Sequence, residues 1–364
     1  NVAIDGNGGI KELEDWAEAG TYNGNQLWMQ ISHAGRQAPW YVSWEPLAPS
    51  PVQLDILGTY RKPRAVTDAE IKEFIARWAM VAGVAKDAGF TGVQIHAAHG
   101  YLLSSFLSPV VNRRSDQWGG SLENRSRFLI ETIRAVRKRV GPDFPVAIKL
   151  NSADFQRGGF AFEDCLKLVE TLNQEGLDLL EVSGGSYEQP RLLGYEGDAK
   201  KVESSTAQRE AYFLKYAKQV RAIAKMPVMV TGGFRSREVM VQALASGDAD
   251  VIGLGRPLCG DPELPTKLLE AEVTEAPRYE LSLKVFNGNQ QKPMSRLWPI
   301  QVFGQQAWYF MQIFRLGRGL DAKLSLKPMI CFMRYQFDEF LRAALLRRRR
   351  VPGPSEQVSH VRST

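Results

Sequence analysis

Residues Gly92–Tyr101 read GVQIHAAHGY, a short apolar run followed at once by two histidines, a glycine and a tyrosine. Apolar runs of four to six residues that end in a polar or glycine-containing turn recur along the chain. Helical patterns separate them, and this alternation is typical of a parallel sheet built from βαβ units. The predicted strands are Gln26–Ile31, Gly92–Ile95, Pro145–Leu150, Asp178–Val182, Pro227–Thr231 and Asp250–Leu254.

Polar residues follow every predicted strand, which favours a barrel over an open doubly wound sheet. Active sites of β/α barrels lie at the carboxyl-terminal rim and take residues from several strands. Apolar periodicity and capping residues place helices between the strands. The predicted helices are Ile10–Ala19, Asp68–Ala88, Glu123–Val140, Ala161–Glu175, Gln208–Ala224 and Ser236–Ser246.

The barrel pattern is two strands short, because only residues 1–25 precede the first strong strand. We therefore expect residues 1–265 to form a TIM (β/α)8-type barrel that lacks its first two strands in this chain. After about Pro265 the alternation stops, and residues 266–350 predict a helical C-terminal extension with a second helix near Lys327–Leu346. The polar, proline-containing residues 351–364 predict a disordered tail.

Composition places the chain among ordinary globular proteins. Of 364 residues, 44% are hydrophobic and 24% charged, which excludes collagenous, coiled-coil and disordered classes. No apolar run approaches a membrane span, and the first residues lack the pattern of a signal peptide. Arg347–Arg350 supply four of the net +6 charges, so no body-wide nucleic-acid surface is visible. These features predict a cytoplasmic protein without a membrane or nucleic-acid partner, and a homo-oligomer is compatible with them.

The segment from His96 to Tyr101 is the densest chemical signal. Two imidazoles, His96 and His99, can donate hydrogen bonds to one carbonyl oxygen, and a tyrosine hydroxyl can deliver a proton to a nearby carbon. This combination suits the polarisation of an electron-poor alkene. Histidines that merely brace a loop are one alternative, and a zinc pair is another. A metal needs further ligands, and His33 and His360 are the only other histidines, so we expect no metal site.

Lys149 ends the apolar strand PVAIKL. A buried lysine is costly unless it meets an anion or loses its proton. It could stabilise negative charge on a bound ring, act as a Schiff-base nucleophile, or form a salt bridge with a neighbouring acid.

Two glycine turns follow the last two predicted strands, Gly232-Gly233 and Gly255-Arg256. Backbone amides without a Cβ in the way bind phosphate well, and an arginine adds a charge-assisted pair. The loops after strands 7 and 8 are also the usual phosphate site of β/α barrels. We therefore predict a phosphate-binding site at these two turns.

The chain from Gln26 to about Pro262 resembles the old yellow enzyme family, the flavin-dependent ene-reductases also called NADH:flavin oxidoreductases. The longest matching motif is GVQIHAAHGYLLSSFLSPVVNRRSDQWGGSLENRSRF, from Gly92 to Phe128. The motifs LWMQISHAGRQ, VAIKL, LLEVSGG, VTGGF and IGLGRPL stand in the family's order and spacing. Trp118 departs from the tyrosine common at its position, and charges of the segment Asn112–Arg125 are expected to brace the loop.

The resemblance implies an FMN cofactor and a role for each site residue. Gln30 would bind the flavin pyrimidine edge, and Lys149 would lie near flavin N1 and O2. His96 and His99 would hold the activating oxygen of the substrate, and Tyr101 would donate the proton. The residues implied around the ribityl chain and phosphate are Ser183, Gly184, Gly232, Gly233, Gly255 and Arg256.

The implied reaction is reduction of an activated C=C bond in an α,β-unsaturated carbonyl compound. NADH or NADPH would first reduce FMN in a ping-pong cycle, and an enone-type small molecule would then be reduced. Two other hypotheses stay open on the sequence. One is a class I aldolase-like barrel lyase that uses Lys149; the other is a truncated, non-catalytic relic, which the missing strands motivate.

Overall fold

The computed structural model describes residues 2–6, 8–56, 58–184, 216–286 and 298–348, and their centre is a six-stranded parallel sheet. The strands, in chain order, are β1 (Trp28–Ile31), β2 (Leu47–Ala48), β3 (Arg64–Ala65), β4 (Gly92–Ala97), β5 (Val146–Asn151), β6 (Leu179–Ser183), β7 (Val228–Thr231) and β8 (Val251–Gly253). The central sheet has the order β1-β4-β5-β6-β7-β8, so each crossover joins strands that are neighbours in it. All six strands predicted from the sequence are present in this sheet.

Helices cover one face of the sheet, and their positions agree with the sequence pattern. Within the described ranges they include Ile10–Thr21, Asp68–Asp87, Leu122–Val140, Phe162–Leu172, Arg237–Ala245 and Leu264–Leu269. The helix predicted from Gln208 lies partly outside the described residues, and residues 216–223 of it are helical. The α/β class and the parallel sheet are therefore confirmed, whereas the loss of two barrel strands stays a prediction.

Alternation along the strands separates an apolar face from a polar one. Val93, Ile95 and Ile148 are fully buried in the core beneath the helices. Gln94, one position on from Val93, lies on the opposite face, which we call the concave face, together with Lys149. Burial of the first set stabilises the sheet, because each such side chain contributes about 1.5–3 kcal/mol. The concave face is left to carry polar residues.

The Asp68–Asp87 helix begins at the residue that the sequence marks as its cap. The Thr67 hydroxyl accepts a hydrogen bond from the Glu70 amide at 3.2 Å, and the Glu70 carboxylate accepts one from the Thr67 amide at 2.8 Å. This reciprocal capping box satisfies two amides that have no partner inside the helix. It fixes the first turn of this helix, and the helix packs on β1 and β4.

Some elements were not visible in the sequence. β2 and β3 form a small parallel ribbon, and each strand has two residues, too few to show a period. A six-residue helix, Leu102–Leu107, begins directly after Tyr101. Its start fixes the direction in which the chain leaves the histidine loop.

The segment Asn112–Arg125 braces the loop after β4, as the sequence predicts. The Asn112 side-chain amide donates to the carbonyls of Phe106 and Trp118, both at 2.8 Å. The Arg125 guanidinium donates to the Leu107 carbonyl and pairs with Asp164 at 3.0 Å. Both side chains bind backbone carbonyls at the end of the helix that follows Tyr101, and so they hold that helix in place.

Two further helices, Trp298–Leu316 and Pro328–Arg348, pack against each other around a second core that contains Trp308, Tyr309 and Cys331. Both helices lie within residues 266–350, while the C-terminal extension and the division into domains stay predictions. Residues 351–364, the predicted disordered tail, lie outside the described residues. In the described part of the chain, no helix has the length and apolar character needed to cross a membrane.

We expect Gly35→Ala to destabilise the protein more than Gly24→Ala. Both glycines have positive φ, +59° and +76°. An added Cβ at Gly35 would lie 3.1 Å from the Leu102 backbone, whereas at Gly24 it would meet nothing within 4 Å. Gly24→Ala should therefore show the conformational cost alone, about 1 kcal/mol, and Gly35→Ala should lose about 1–3 kcal/mol more. Urea denaturation measures both, and equal losses would contradict this account of the Gly35 turn.

Candidate active site

The structure brings together the three side chains that the sequence selects after β4. The His96 ring lies 4.8 Å from the Tyr101 ring and 5.2 Å from the His99 ring, measured between centroids, and both pairs are edge-to-face. His96 is the register partner of Lys149 on the neighbouring strand. A histidine pair, a tyrosine and a lysine thus share one end of the sheet.

An unusual backbone turn orients His99. Its φ is +62°, and Gly100 follows with φ +79°. A non-glycine residue in this region costs about 1 kcal/mol or more, so the neighbouring contacts must hold it. The Asn151 side chain accepts from the His99 amide at 3.1 Å, and Gln37 donates to the His99 carbonyl at 2.8 Å. Residues at or after the ends of two other strands, β5 and β1, therefore fix the backbone of His99.

Hydrogen bonds define which ring nitrogens face outward. His96 Nδ1 accepts from the Ala98 amide at 3.1 Å, so a neutral His96 carries its proton on Nε2. His99 Nε2 lies 2.7 Å from the Ser183 hydroxyl. His96 can therefore donate from Nε2. The structure places Ser183 against His99, and its predicted role beside a ribityl chain stays a prediction.

Burial keeps both histidines neutral near pH 7. It lowers the pKa of His96 to about 3, with a smaller contribution from the Lys149 charge. The pKa of His99 is well below its ordinary value for the same main reason, and His96 and Lys149 add to the effect. A neutral imidazole is a hydrogen-bond donor that does not need a counter-ion, which suits a carbonyl ligand.

A hydrogen-bonded chain of side chains crosses the concave face. Lys149 Nζ lies 2.7 Å from Glu181 Oε1, and Gln94 Nε2 donates to Glu181 Oε2 at 2.7 Å. Gln30 in turn donates to Gln94 Oε1 at 2.6 Å. The salt bridge that the sequence left open for Lys149 is therefore present. Gln30 and Lys149 are the two ends of one network.

Sequence reasoning missed Gln94 and Glu181. Each stands inside an otherwise apolar strand, in GVQI and in DLLEV, and that interruption was the available signal. The Glu181 side chain is 5% exposed and the Lys149 side chain 15%. A buried ion pair of this kind gives little net stability but fixes the position and charge of both groups.

The two glycine turns also lie side by side, because β7 pairs with β8 up to the Thr231–Gly253 partners. Gly232 and Gly233 have φ of +117° and +86°, a conformation open to glycine. A Cβ added at Gly255 would meet nothing within 4 Å. The space in front of this turn is free for a ligand to approach, as a phosphate site requires.

A half-buried carboxylate, Glu280, lies near the predicted phosphate arginine, and the sequence did not reveal it. Glu280 pairs with Arg235 at 3.0 Å and accepts from the Tyr309 hydroxyl at 3.3 Å. Although burial alone would raise it, the pKa of Glu280 is lowered by the charges of Arg256 and Arg235. The Trp298–Leu316 helix, which carries Tyr309, therefore helps to order the charges behind the Gly255-Arg256 turn.

Comparison with known proteins identifies the class that this site belongs to. Residues 2–275 match the model of the NADH:flavin oxidoreductase / NADH oxidase family, and the chain belongs to this family. It is 40% identical over 269 residues to the NADH-dependent flavin oxidoreductase nadA of Aspergillus parasiticus, covering 73% of this chain and 59% of that one. It is 37% identical to the NADH oxidase of Thermoanaerobacter brockii, over 71% of this chain and 38% of that one. The chain thus spans about two fifths to three fifths of these two relatives.

A solved structure supports the barrel architecture. The old yellow enzyme homologue of Zymomonas mobilis is 27% identical to this chain and superimposes on it with a TM-score of 0.60. The match covers 73% of this chain and 72% of the Zymomonas chain. The family match identifies FMN as the cofactor, and the similar proteins are named for NADH in Aspergillus parasiticus and for NADPH in Geobacillus.

The residues present fit an FMN. Gln30 and Lys149 place an amide and a cation on the concave face, where the carbonyl-rich edge of a flavin ring needs donors. The buried hydroxyls of Thr231 and Ser152 have no hydrogen-bond partner among the described residues. They stand at the ends of β7 and β5, where a polar ligand could satisfy them. The glycine turns with Arg256 provide a place for its phosphate.

Stability should fall as pH is lowered from 7.5 to 5.5. Burial lowers the pKa of His33 to about 4 and that of His96 to about 3, and it holds the pKa of His99 well below its ordinary value. Below about pH 6.5 the unfolded chain binds protons at these histidines and the folded chain does not, so folding is penalised. Each histidine should cost roughly 1 kcal/mol between pH 6.5 and 5.5.

Urea denaturation at several pH values measures this dependence. His33→Gln removes one of these three imidazoles, whose ring centroid lies 5.0 Å from that of Phe74. It should reduce the slope of the unfolding free energy against pH by the equivalent of about one bound proton. A wild-type protein whose stability is constant over this range would contradict the neutral assignment of these histidines.

Proposed function

We propose that this chain forms the flavin- and substrate-binding part of an FMN-dependent oxidoreductase that reduces activated C=C bonds with NADH or NADPH. This proposal rests mainly on the clustering of the His96, His99 and Tyr101 rings beside Lys149 at one end of the sheet. Oxygen-binding donors, a proton donor and a ring-binding cation are therefore adjacent. The similarity of the chain to NADH-dependent flavin oxidoreductases supports the same activity.

Bound FMN supplies a hydride acceptor and donor, and the protein supplies position and charge. Gln30 and Lys149 would hold the polar edge of the ring, and Glu181 with Gln94 holds those two side chains in turn. The Lys149 ammonium group would stabilise negative charge on a reduced flavin. Preorganised charges of this kind lower a barrier because they need no rearrangement during the reaction.

The histidines bind the substrate through its carbonyl oxygen. His96 donates from Nε2, because its Nδ1 is engaged by the Ala98 amide. Donation to this oxygen withdraws electrons from the conjugated C=C bond, and hydride is then accepted at the β-carbon. Tyr101, in edge contact with His96, delivers a proton to the α-carbon. The substrate class is therefore a small α,β-unsaturated carbonyl compound.

The surroundings of Lys149 weigh against the aldolase hypothesis. A Schiff-base lysine is activated by apolar or cationic neighbours that favour its neutral amine. Lys149 instead faces the Glu181 carboxylate at 2.7 Å. Borohydride trapping with carbonyl donors tests this alternative directly, and an adduct on Lys149 would reverse the preference.

Tyr101→Phe should separate the two half-reactions. The substitution removes the proton donor and keeps the ring that packs on His96. Flavin reduction by NADH should stay near normal. Reoxidation by an enone should slow about 10²- to 10⁴-fold, and by less where water replaces the tyrosine as proton donor. Stopped-flow absorbance of the flavin measures both steps. Tyr22→Phe, at an exposed tyrosine just after the first helix, is the control and should leave both rates unchanged. An unchanged enone step in Tyr101→Phe would remove this assignment.

Lys149→Met and Glu181→Gln should shift the flavin in opposite directions. Loss of the cation should weaken FMN binding roughly tenfold or more and make its reduction potential more negative, since a charged hydrogen bond contributes about 1.5–3 kcal/mol. Loss of the Glu181 charge leaves the lysine uncompensated and should make the potential more positive. Glu175→Gln is the matched control, because that carboxylate is equally buried and pairs with Arg134 on the helical layer. Spectroelectrochemistry measures the potentials, and equal shifts in all three variants would exclude a specific role for this pair.

A further inference from the structure

The Pro328–Arg348 helix carries an apolar face that no described residue covers. Its other face, with Cys331 and Ala343 buried, packs on the Trp298–Leu316 helix, and Tyr335 stacks on Phe310 at 5.0 Å between ring centroids. The outward side chains are large and between 44% and 64% exposed. We call them the apolar stripe: Ile330, Met333, Phe337, Phe340, Leu341 and Leu345.

The stripe is at the upper end of the apolar patch sizes that single proteins expose. Six side chains of this size, about half exposed, present roughly 600 Å² of apolar surface. A standard interface buries about 800 Å² on each partner. The stripe and its immediate polar margin therefore offer the area that a stable protein contact needs.

The spacing of the stripe matches a second helix. Five residues of the helix follow one another at alternating intervals of three and four: Ile330, Met333, Phe337, Phe340 and Ala344. The first four belong to the stripe, and Ala344 is small and exposed. This is the heptad interval at which two helices interlock their side chains. The interval continues for two heptads, most of the described length of the helix.

Part of the stripe, together with the small Ala344, is also self-complementary about Phe337. Met333 and Leu341 lie four residues to either side of Phe337, and Ile330 and Ala344 lie seven residues to either side. A twofold axis at Phe337 would place each residue against its counterpart in an antiparallel second copy. The large Ile330 of one copy would then pack over the small Ala344 of the other, which lets the two helices approach closely.

The charges beside the stripe are complementary in the same arrangement. Arg334 and Asp338 follow one another at an interval of four on one flank of the stripe, and neither forms an ion pair within the described chain. An antiparallel copy reverses the order along the helix and keeps the flank, so Arg334 of one copy lies about 3 Å along the axis from Asp338 of the other. Two reciprocal ion pairs would form. The Glu339 carboxylate lies away from the stripe, where Arg342 pairs with it at 3.2 Å.

We propose that the apolar stripe is a homodimer interface, in which a second copy of this chain packs antiparallel across Phe337. Sedimentation velocity of the full chain should show a dimer at micromolar concentration. Phe337→Glu places a charge on the axis and should raise the dissociation constant at least 100-fold. Val241→Glu is the control, because Val241 is 48% exposed on a different helix, and it should leave the dimer intact.

Charge reversal tests the predicted ion pairs. Arg334→Asp places the new carboxylate next to Asp338 of the other copy, at two symmetry-related positions in the dimer. It should raise the dissociation constant about three- to tenfold, since two exposed ion pairs are lost. Arg334→Asp/Asp338→Arg restores opposite charges and should return the dissociation constant to near that of the wild type. A double variant that dimerises no better than the single variant would overturn the antiparallel arrangement.

Cross-linking tests the antiparallel geometry independently. Phe337→Cys should form a disulfide-linked dimer on mild oxidation, because the two copies meet at this residue. Ile330→Cys should not, because the two copies of residue 330 would lie about 21 Å apart along the helices at a rise of 1.5 Å per residue. The double variant Ile330→Cys/Ala344→Cys should link again. Cys165, Cys259 and Cys331 are common to all variants.

Three further results would overturn the proposal: a monomer at every concentration, a dimer that Phe337→Glu leaves unchanged, or a linked Ile330→Cys dimer. Vesicles of phosphatidylcholine with and without phosphatidylserine distinguish a lipid surface. A monomeric wild type that sediments with the anionic vesicles, and a Phe337→Glu variant that does not, would assign the stripe to lipid instead. Circular dichroism of each variant verifies that the helices are kept.

Discussion

The parallel register of β4, β5 and β6 aligns His96, Lys149 and Glu181 on one face of the sheet. Because all six strands run in the same direction, their carboxyl ends meet at one edge, and the loops that follow them share that edge. The apolar residues at alternate positions anchor this register beneath the helices. A shift by one residue would turn the catalytic candidates into the core and would leave their charges buried without partners.

The site combines two different electrostatic designs a few residues apart. At the histidine pair, burial suppresses charge, so that His96 and His99 are neutral, as the proposed donors to a carbonyl oxygen should be. One step along the sheet, Lys149 and Glu181 keep opposite charges that compensate each other. A substrate carbonyl needs donors that do not trap it as an ion pair, whereas a ring that gains negative charge benefits from a fixed cation. The two designs fit the two ligands expected.

The helices outside the family match connect to the same site. Residues 2–275 carry the similarity, yet Glu280 and Tyr309 order the arginines behind the Gly255-Arg256 turn. The Pro328–Arg348 helix packs on this layer through one face and leaves its apolar stripe outside. An interface on the stripe would therefore couple a second copy to the helices that support the predicted phosphate turn.

The sequence by itself determined the parallel class, the order of elements along the chain and the local motifs, because periodicity, caps such as Thr67 and the run from Gly92 to Tyr101 are short-range properties. It also predicted that the histidine loop and Lys149 share one rim, since parallel strands bring their carboxyl ends together. The roles of the individual site residues are still hypotheses. Only the tertiary structure decided which groups touch: the Lys149–Glu181 pair and the Gln30–Gln94 link join residues from different strands. Partner choice across a sheet depends on register and rotamer, which residue identity does not encode locally. For the same reason the apolar stripe emerged only when the opposite face of its helix was seen to be packed.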